Sequence, residues 1–162
     1  MPWDLLVKDV PPERHRDLDY IIGMLDWEAN VDPEFVKHRL FHPRPAKAED
    51  EMAAAGYSEK WIVYSTGYYS AKELTIFPGR SVTIRDAAAY GAIVVQGRGS
   101  AGKLEVETPS VIRYGQMTQD ELFITVTAAN RGVTVTNRSD KEDLVMLKHF
   151  GPGNPDAKGL KK

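Results

Sequence analysis

Histidines, strand carboxylates and one glycine-rich run are the features of this chain that could do chemistry. His38 and His42 stand four residues apart, a spacing that sets two imidazoles on one helix face where they could share a metal ion. Pro43 disfavours helical geometry at the residue before it, so both read as surface histidines. His15 lies in the charged segment PPERHRD and reads as solvated. His149 alternates with Val145 and Leu147, which places the three on one inward or interface face and makes His149 a satisfied core residue ahead of a ligand or general base. Glu73, Glu105, Glu107 and Glu121 fall in strand-like runs, where paired carboxylates can divide acid and base roles if their surroundings separate their pKa values. Glu105 and Glu107 share a face opposite Leu104 and Val106, the pattern of a solvated surface. GRGSAG at 97–102 lacks the Lys-Ser/Thr of a phosphate-binding loop and reads as a hairpin turn.

Two kinds of element must position these groups. In DLDYIIGMLDWEA, from Asp17, Leu18, Ile21, Ile22 and Leu25 recur at helical spacing against Asp17, Asp19 and Asp26, which predicts a short amphipathic helix. Asp32-Pro33 gives an N-cap followed by proline at the first helical position and predicts a second helix through Leu40, stopped by HPRP at 42–45. A third turn of helix is expected over 48–55, closed by Gly56. From Glu59 onward WIVYS, KELTIFP, SVTI, GAIVVQ, KLEVE, SVIRYG, ELFITV, GVTVTN and LVMLKHF are rich in β-branched and aromatic residues and are divided by Gly, Pro, Asn, Asp and Ser. Eight or nine short strands at this spacing predict a sandwich or barrel.

Composition narrows the classes. A chain of 162 residues is one domain by prior and can bury roughly 70% of the surface its unfolded form exposes. Its 42% apolar and 27% charged residues are those of a globular protein, and a formal charge of −2 with no long basic run argues against nucleic acid as partner. There is no cysteine, so disulfides, thiolate zinc sites and a cysteine nucleophile are excluded. No apolar run approaches the roughly 20 residues of a membrane helix, and the acidic and proline residues of MPWDLLVKDVPPERHRD differ from a signal peptide. No membrane partner and a cytoplasmic location are expected.

The stretch FPGRSVTIRDAAAYGAIVVQGRG resembles the first motif of the cupin superfamily, in which glycine, five residues, His-x-His, three or four residues, glutamate, six residues and glycine frame a metal site. Gly79 opens that frame and Gly97 or Gly99 closes it, with Arg85 and Ala87 at the histidine positions and Tyr90, Gly91 or Ala92 at the glutamate. The second motif is echoed in DELFITVTAANRGVTVTNRSDKEDLVML, where Asn137 matches the terminal asparagine and Val133 falls at the histidine. Within the superfamily, ELTIFPGRSVTI to LVMLKHFGP is most similar to the cupin parts of mannose-6-phosphate-isomerase-like proteins, whose active members hold zinc through a glutamine, two histidines and a glutamate. None of these ligands stands at a motif position here.

The resemblance implies a mainly β fold, a single cupin jelly-roll barrel over 58–150 with a short helical N-terminal extension over 1–57 and a flexible C-terminal tail over 151–162. It sets Thr83, Arg85 and Ala87 inward on one strand, and with them Tyr90, Ala92, Val94 and Gln96, and Val133, Val135 and Asn137. Arg85, Tyr90, Gln96 and Asn137, with His149, are then the candidate ligand-binding residues at the barrel mouth, able to hydrogen-bond a sugar, phosphate or carboxylate. The competing reading is a filled barrel in which the same groups satisfy one another. The expected function is a metal-free cupin, with no cofactor, that binds a small polar ligand such as a carbohydrate or serves as an assembly module. The alternative is a sugar or sugar-phosphate isomerase or epimerase with a displaced metal site built from His38, His42, Glu73 or His149. Whether the chain is an enzyme stays open. A homodimer is expected through an edge strand or through the N-terminal segment with Trp3, Trp27, Phe35 and Phe41.

Overall fold

The computed structural model describes residues 2–40, 42–110 and 114–161. They divide into two compact units, residues 1–40 and 41–162. In the first, α1 (Trp3–Leu6) is followed by a 3-10 turn (Pro12–Arg14), α2 (Leu18–Gly23), α3 (Trp27–Asn30) and α4 (Phe35–Arg39). The helix expected from Asp17 is broken in two. Asp17 caps α2 by accepting from the Tyr20 amide, and Asp26 starts a new helix by accepting from the Ala29 amide, so the second acid competes with the helix it was expected to decorate. Val7, Val10 and Ile21 form this unit's small core.

The second unit opens with β1 (Arg44–Pro45) and α5 (Glu49–Ala55), so the third expected helix belongs with the strands. Gly56 closes α5 at φ +89°, with its absent Cβ position 2.6 Å from the Arg80 side chain. Next come β2 (Tyr57–Val63), β3 (Ser70–Ile76), β4 (Ser81–Ile84), β5 (Tyr90–Gln96), β6 (Arg98–Ala101), β7 (Leu104–Glu107), β8 (Glu121–Ile124), α6 (Val126–Arg131), β9 (Val133–Asn137) and β10 (Leu144–Phe150). The strands make two sheets, β1-β2-β3-β10-β5-β8 and β4-β9-β6-β7, all pairs antiparallel. The fold is mainly β, as expected, but the sheets do not close into one barrel.

Three local expectations change. GRGSAG is largely strand rather than turn: Arg98–Ala101 pairs with both β7 and β9, and Gly97 at φ +84° and Gly102 at φ +61° bound it. ELFITV stops as a strand at Ile124, because Thr125 accepts from the Ala128 amide and caps α6, whose Ala128 and Ala129 favour helix. Half of the expected strand SVIRYG, residues 111–113, lies outside the described residues; Ser110, Tyr114 and Gly115 are not in a strand.

Between the sheets the core alternates with period two. Tyr57, Glu59 and Trp61 of β2, Ser70, Lys72, Leu74 and Ile76 of β3, Leu144, Met146, Lys148 and Phe150 of β10, and Tyr90, Ala92 and Val94 of β5 are all buried. Leu74, Ile76, Val94, Val106, Leu144 and Met146 are among its apolar members. Gly99 of β6 lets the β6–β9 ladder close, since a Cβ there would lie 1.9 Å from the Thr136 carbonyl oxygen, backbone that cannot swing aside. Gly91, in β5, has open space where its Cβ would stand. Gly99→Ala should therefore cost about 3 kcal/mol or more and Gly91→Ala less than about 1 kcal/mol, compared by denaturant unfolding of the two variants.

Candidate ligand site

The inward face of the larger sheet carries two lysines where a core would carry aliphatic side chains. Lys72 and Lys148 are direct register partners on β3 and β10, an arrangement that repels unless compensated. Glu59 enters from β2 and Asp86 from the turn after β4, and the four side chains form a ring of alternating charge. Lys72 Nζ lies 2.7 Å from Asp86 Oδ1 and 3.3 Å from Glu59 Oε2; Lys148 Nζ lies 2.5 Å from Asp86 Oδ2 and 2.6 Å from Glu59 Oε1. All four residues are between 1% and 4% exposed. Ala92 faces Lys148 across the β5–β10 ladder, a small residue opposite a long one. Aromatic faces close the ring: Lys72 Nζ lies 4.6 Å from the Trp61 centroid, and Lys148 Nζ lies 4.8 Å from that of Tyr90.

Burial opposes the charge on Lys72, but Glu59 and Asp86 outweigh it, and its pKa is raised. Burial, then Asp86 and Glu59, also raise the pKa of the Tyr90 hydroxyl, so it stays protonated.

Beyond the ring lies the end row of the sheet, Ser70, Phe150 and Tyr90 in register. The Phe150 and Tyr90 rings are 5.3 Å apart. The segment after β10, expected to be loose, is tied across this end. Asn154 is buried and donates to Ser70 Oγ at 3.3 Å, while Asp156 accepts from the Ala87 amide at 2.8 Å. Between this segment and the β2–β3 connection runs a groove of about 450 Å³, lined among others by Ser65, Thr66, Tyr69, Ser70, Asn154 and Lys158. Lys158 is its only charged lining residue among the described residues. Ser65 sits in the left-handed region at φ +60°, a costly conformation for a residue with a side chain.

The five residues expected at a barrel mouth are dispersed. Tyr90 is inward, as expected. Arg85 is exposed and its Nε donates to the Arg131 carbonyl at 3.3 Å; Val82, Ile84 and Asp86 take the inner phase, one residue off the expected set. Thr83 faces out, bonded to Thr134. Gln96 is exposed beside a bulge opposite Val145 and Met146, with Nε2 3.5 Å from the Asp143 carbonyl. Asn137 is buried but spent on structure: Nδ2 donates to the Ile76 and Glu142 carbonyls at 2.9 and 2.7 Å, and Oδ1 accepts from the Ser139 amide. His149 points outward, because Lys148 and Phe150 hold the inner phase of β10.

The donors do not fit a divalent metal. Each interior carboxylate is already shared by two ammonium groups, which would repel a cation. No three His, Asp or Glu converge among the described residues. Of the residues considered for a displaced site, His38 pairs with Asp32 at 2.7 Å and Glu73 lies 3.9 Å from Lys60.

No family model matches the chain, and no curated protein matches it. Among solved structures it is similar to a cupin-2 domain protein of Rhodospirillum rubrum (16% identity, 59% of this chain and 60% of that one, TM-score 0.41). It is also similar to a chain in the Rhodobacter sphaeroides complex of SigE with the anti-sigma ChrR (15% identity, 83% and 66%, TM-score 0.47). A third is the polyketide cyclase RemF of Streptomyces resistomycificus (10% identity, 74% and 78%, TM-score 0.43). The matched part spans less than two thirds of the first two chains.

Two outcomes follow from the ring. Lys148→Met leaves two buried carboxylates on one ammonium and should cost about 3–5 kcal/mol, whereas adding Glu59→Gln to it should restore part of the loss; a double-mutant cycle by urea unfolding measures the coupling. Lys72 and Tyr90 keep their protons in the native state past the point where the unfolded chain releases them, near pH 10. Their contribution is thus complete below about pH 10 and lost as pH rises beyond it. Urea midpoints between pH 9 and 11 should fall, less steeply in Tyr90→Phe.

Proposed function

We propose that the β unit is a cupin-like module, working without a metal, that binds a small polar ligand of the hydroxyl-rich, carbohydrate class. One observation carries the reading. The interior is filled by a self-neutralised ring, while the groove over its end offers hydroxyls, an amide, glycine backbone and one ammonium, with no carboxylate among its described lining residues. Such a lining suits a neutral or singly anionic polyhydroxylated molecule. The function expected at Arg85, Tyr90, Gln96, Asn137 and His149 moves, on this reading, to Tyr69, Ser70, Asn154 and Lys158.

Calorimetric titration with mannose, glucose and their 6-phosphates tests it. Binding by the wild type that weakens at least tenfold in Tyr69→Ala, with Lys158→Ala weakening the phosphates more than the free sugars, supports the site. Absence of heat with every probe at millimolar concentration overturns it.

The assembly role is proposed for a homodimer, since Ile93, Val95 and Phe123 are exposed on the outer face of β5 and β8. Light scattering at micromolar concentration should give twice the chain mass, and Phe123→Glu should return it to the chain mass. A monomeric wild type refutes the dimer.

A further inference from the structure

Residues 1–40 hold a surface that their own core does not use. Most of their large apolar side chains are exposed, and the buried ones are Val7, Val10 and Ile21. A unit of this length with so small a core gains little by burying its own surface, and its stability rises with whatever covers the rest. The exposed residues are ordered into a ridge. Leu18 and Ile22 lie one helical turn apart on α2, beside the inward Ile21, and are 57% and 49% exposed. The Trp27 indole N–H donates to the Ile22 carbonyl at 3.0 Å, which seats the ring, 51% exposed, against the end of α2. Val31, its amide bonded to the Trp27 carbonyl at 3.1 Å, continues the ridge past α3.

Charge names the kind of partner. Residues 1–40 contain nine Asp and Glu against five Lys and Arg, a formal charge of −4. Over residues 17–34, which carry the ridge, there are six carboxylates and no Lys, Arg or His. Asp17, Asp32 and Glu34 are partnered by Arg14, His38 and Lys37, which leaves Asp19, Asp26 and Glu28 exposed without an ion pair among the described residues. Asp26 and Glu28 line a concavity of about 670 Å³ beside α3 with Asp32, His38 and Arg39. There His38 is held by Asp32, and the Arg39 guanidinium lies over the Phe35 ring at 4.7 Å. A second copy or an anionic lipid surface would bring like charge against these carboxylates. A cationic rim would not.

We infer that the ridge of Leu18, Ile22, Trp27 and Val31 is the docking surface for a basic protein segment, one that presents apolar side chains flanked by Lys or Arg. The ridge supplies the area removed from water, and Asp19, Asp26 and Glu28 select the sign of the partner's rim. It uses no residue of the groove in the β unit.

Defined peptides added to the full chain test it: a helical Leu–Lys peptide, a Leu–Glu peptide of the same pattern, and a Ser–Lys peptide of the same charge. In a Trp3→Phe background Trp27 emission reports the ridge, since Trp61 is buried. Trp27 should be open to acrylamide in the free chain and shielded by the Leu–Lys peptide alone. Trp27→Ser, read by calorimetry, should weaken that peptide roughly tenfold or more, and Asp26→Asn with Glu28→Gln, which keeps a capping side chain, roughly threefold or more at low salt. The charge variant decides alone if Trp27→Ser does not fold. Equal binding of the Leu–Glu or the Ser–Lys peptide, no binding at all, or Leu–Lys binding unchanged in the variants overturns the inference. Trp27 already shielded in the free chain, or a dimer lost in Trp27→Ser, also overturns it, by assigning the ridge to the chain itself or to a second copy. A Trp27 shift with phosphatidylcholine vesicles and not with the Leu–Lys peptide overturns it in favour of lipid.

Discussion

The alternating ring of Glu59, Lys72, Asp86 and Lys148 is the constraint on which the β unit is built. Two ammonium groups buried at adjacent positions of one sheet would be prohibitive alone, and the two carboxylates make them tolerable by giving every charge two opposite neighbours. Such a ring need not add net stability over an apolar core of the same shape. It does fix positions: β2, β3, β10 and the turn after β4 must all arrive in one register for the ring to close, and a slip of one residue would turn Lys72 or Lys148 out and bring a neighbour in.

The ring also fills the space between the sheets. With the interior occupied by groups that satisfy one another, the groove lies instead at the end row and the segment laid across it. That segment, with Asn154 on Ser70 and Asp156 on Ala87, converts the tail into a wall of the groove. The carboxylate of Asp156 also adds to the field that holds Lys72 charged, so wall and core are electrically linked.

Strand locations were readable in the sequence because alternation, β-branched content and turn residues agreed over SVTI, GAIVVQ and LVMLKHF. Phase was not. A strand such as SVTIRD is polar on one alternate set and mixed on the other, and placing Arg85 inward followed from a motif frame instead of from burial. LVMLKHF has the same ambiguity. Leu144, Met146 and Phe150 are the larger apolar set, and they carry Lys148 inward with them, while His149 goes out with Val145 and Leu147. A lysine in phase with three large apolar residues was a signal that could have been read, but only with its carboxylate partners 62 and 89 residues away in sequence. Tyr90, Val133, Val135 and Asn137 were legible because alternation and the glycine frame pointed the same way. The groove was not legible, since its two walls are loops far apart in sequence with no periodicity to announce them.

The ring draws its members from across most of the β unit, and that has a kinetic meaning. A chain in which β2 and β3 had paired and the turn bearing Asp86 had docked, but β10 had not, would hold two buried carboxylates against one lysine. A chain with β3 and β10 paired alone would hold two facing ammonium groups. Every three-member assembly leaves one uncompensated charge in a dry interior, so these half-built forms are penalised relative to both the unfolded and the complete state. The ring is thereby a device for all-or-none folding, and it acts against long-lived intermediates with exposed strand edges.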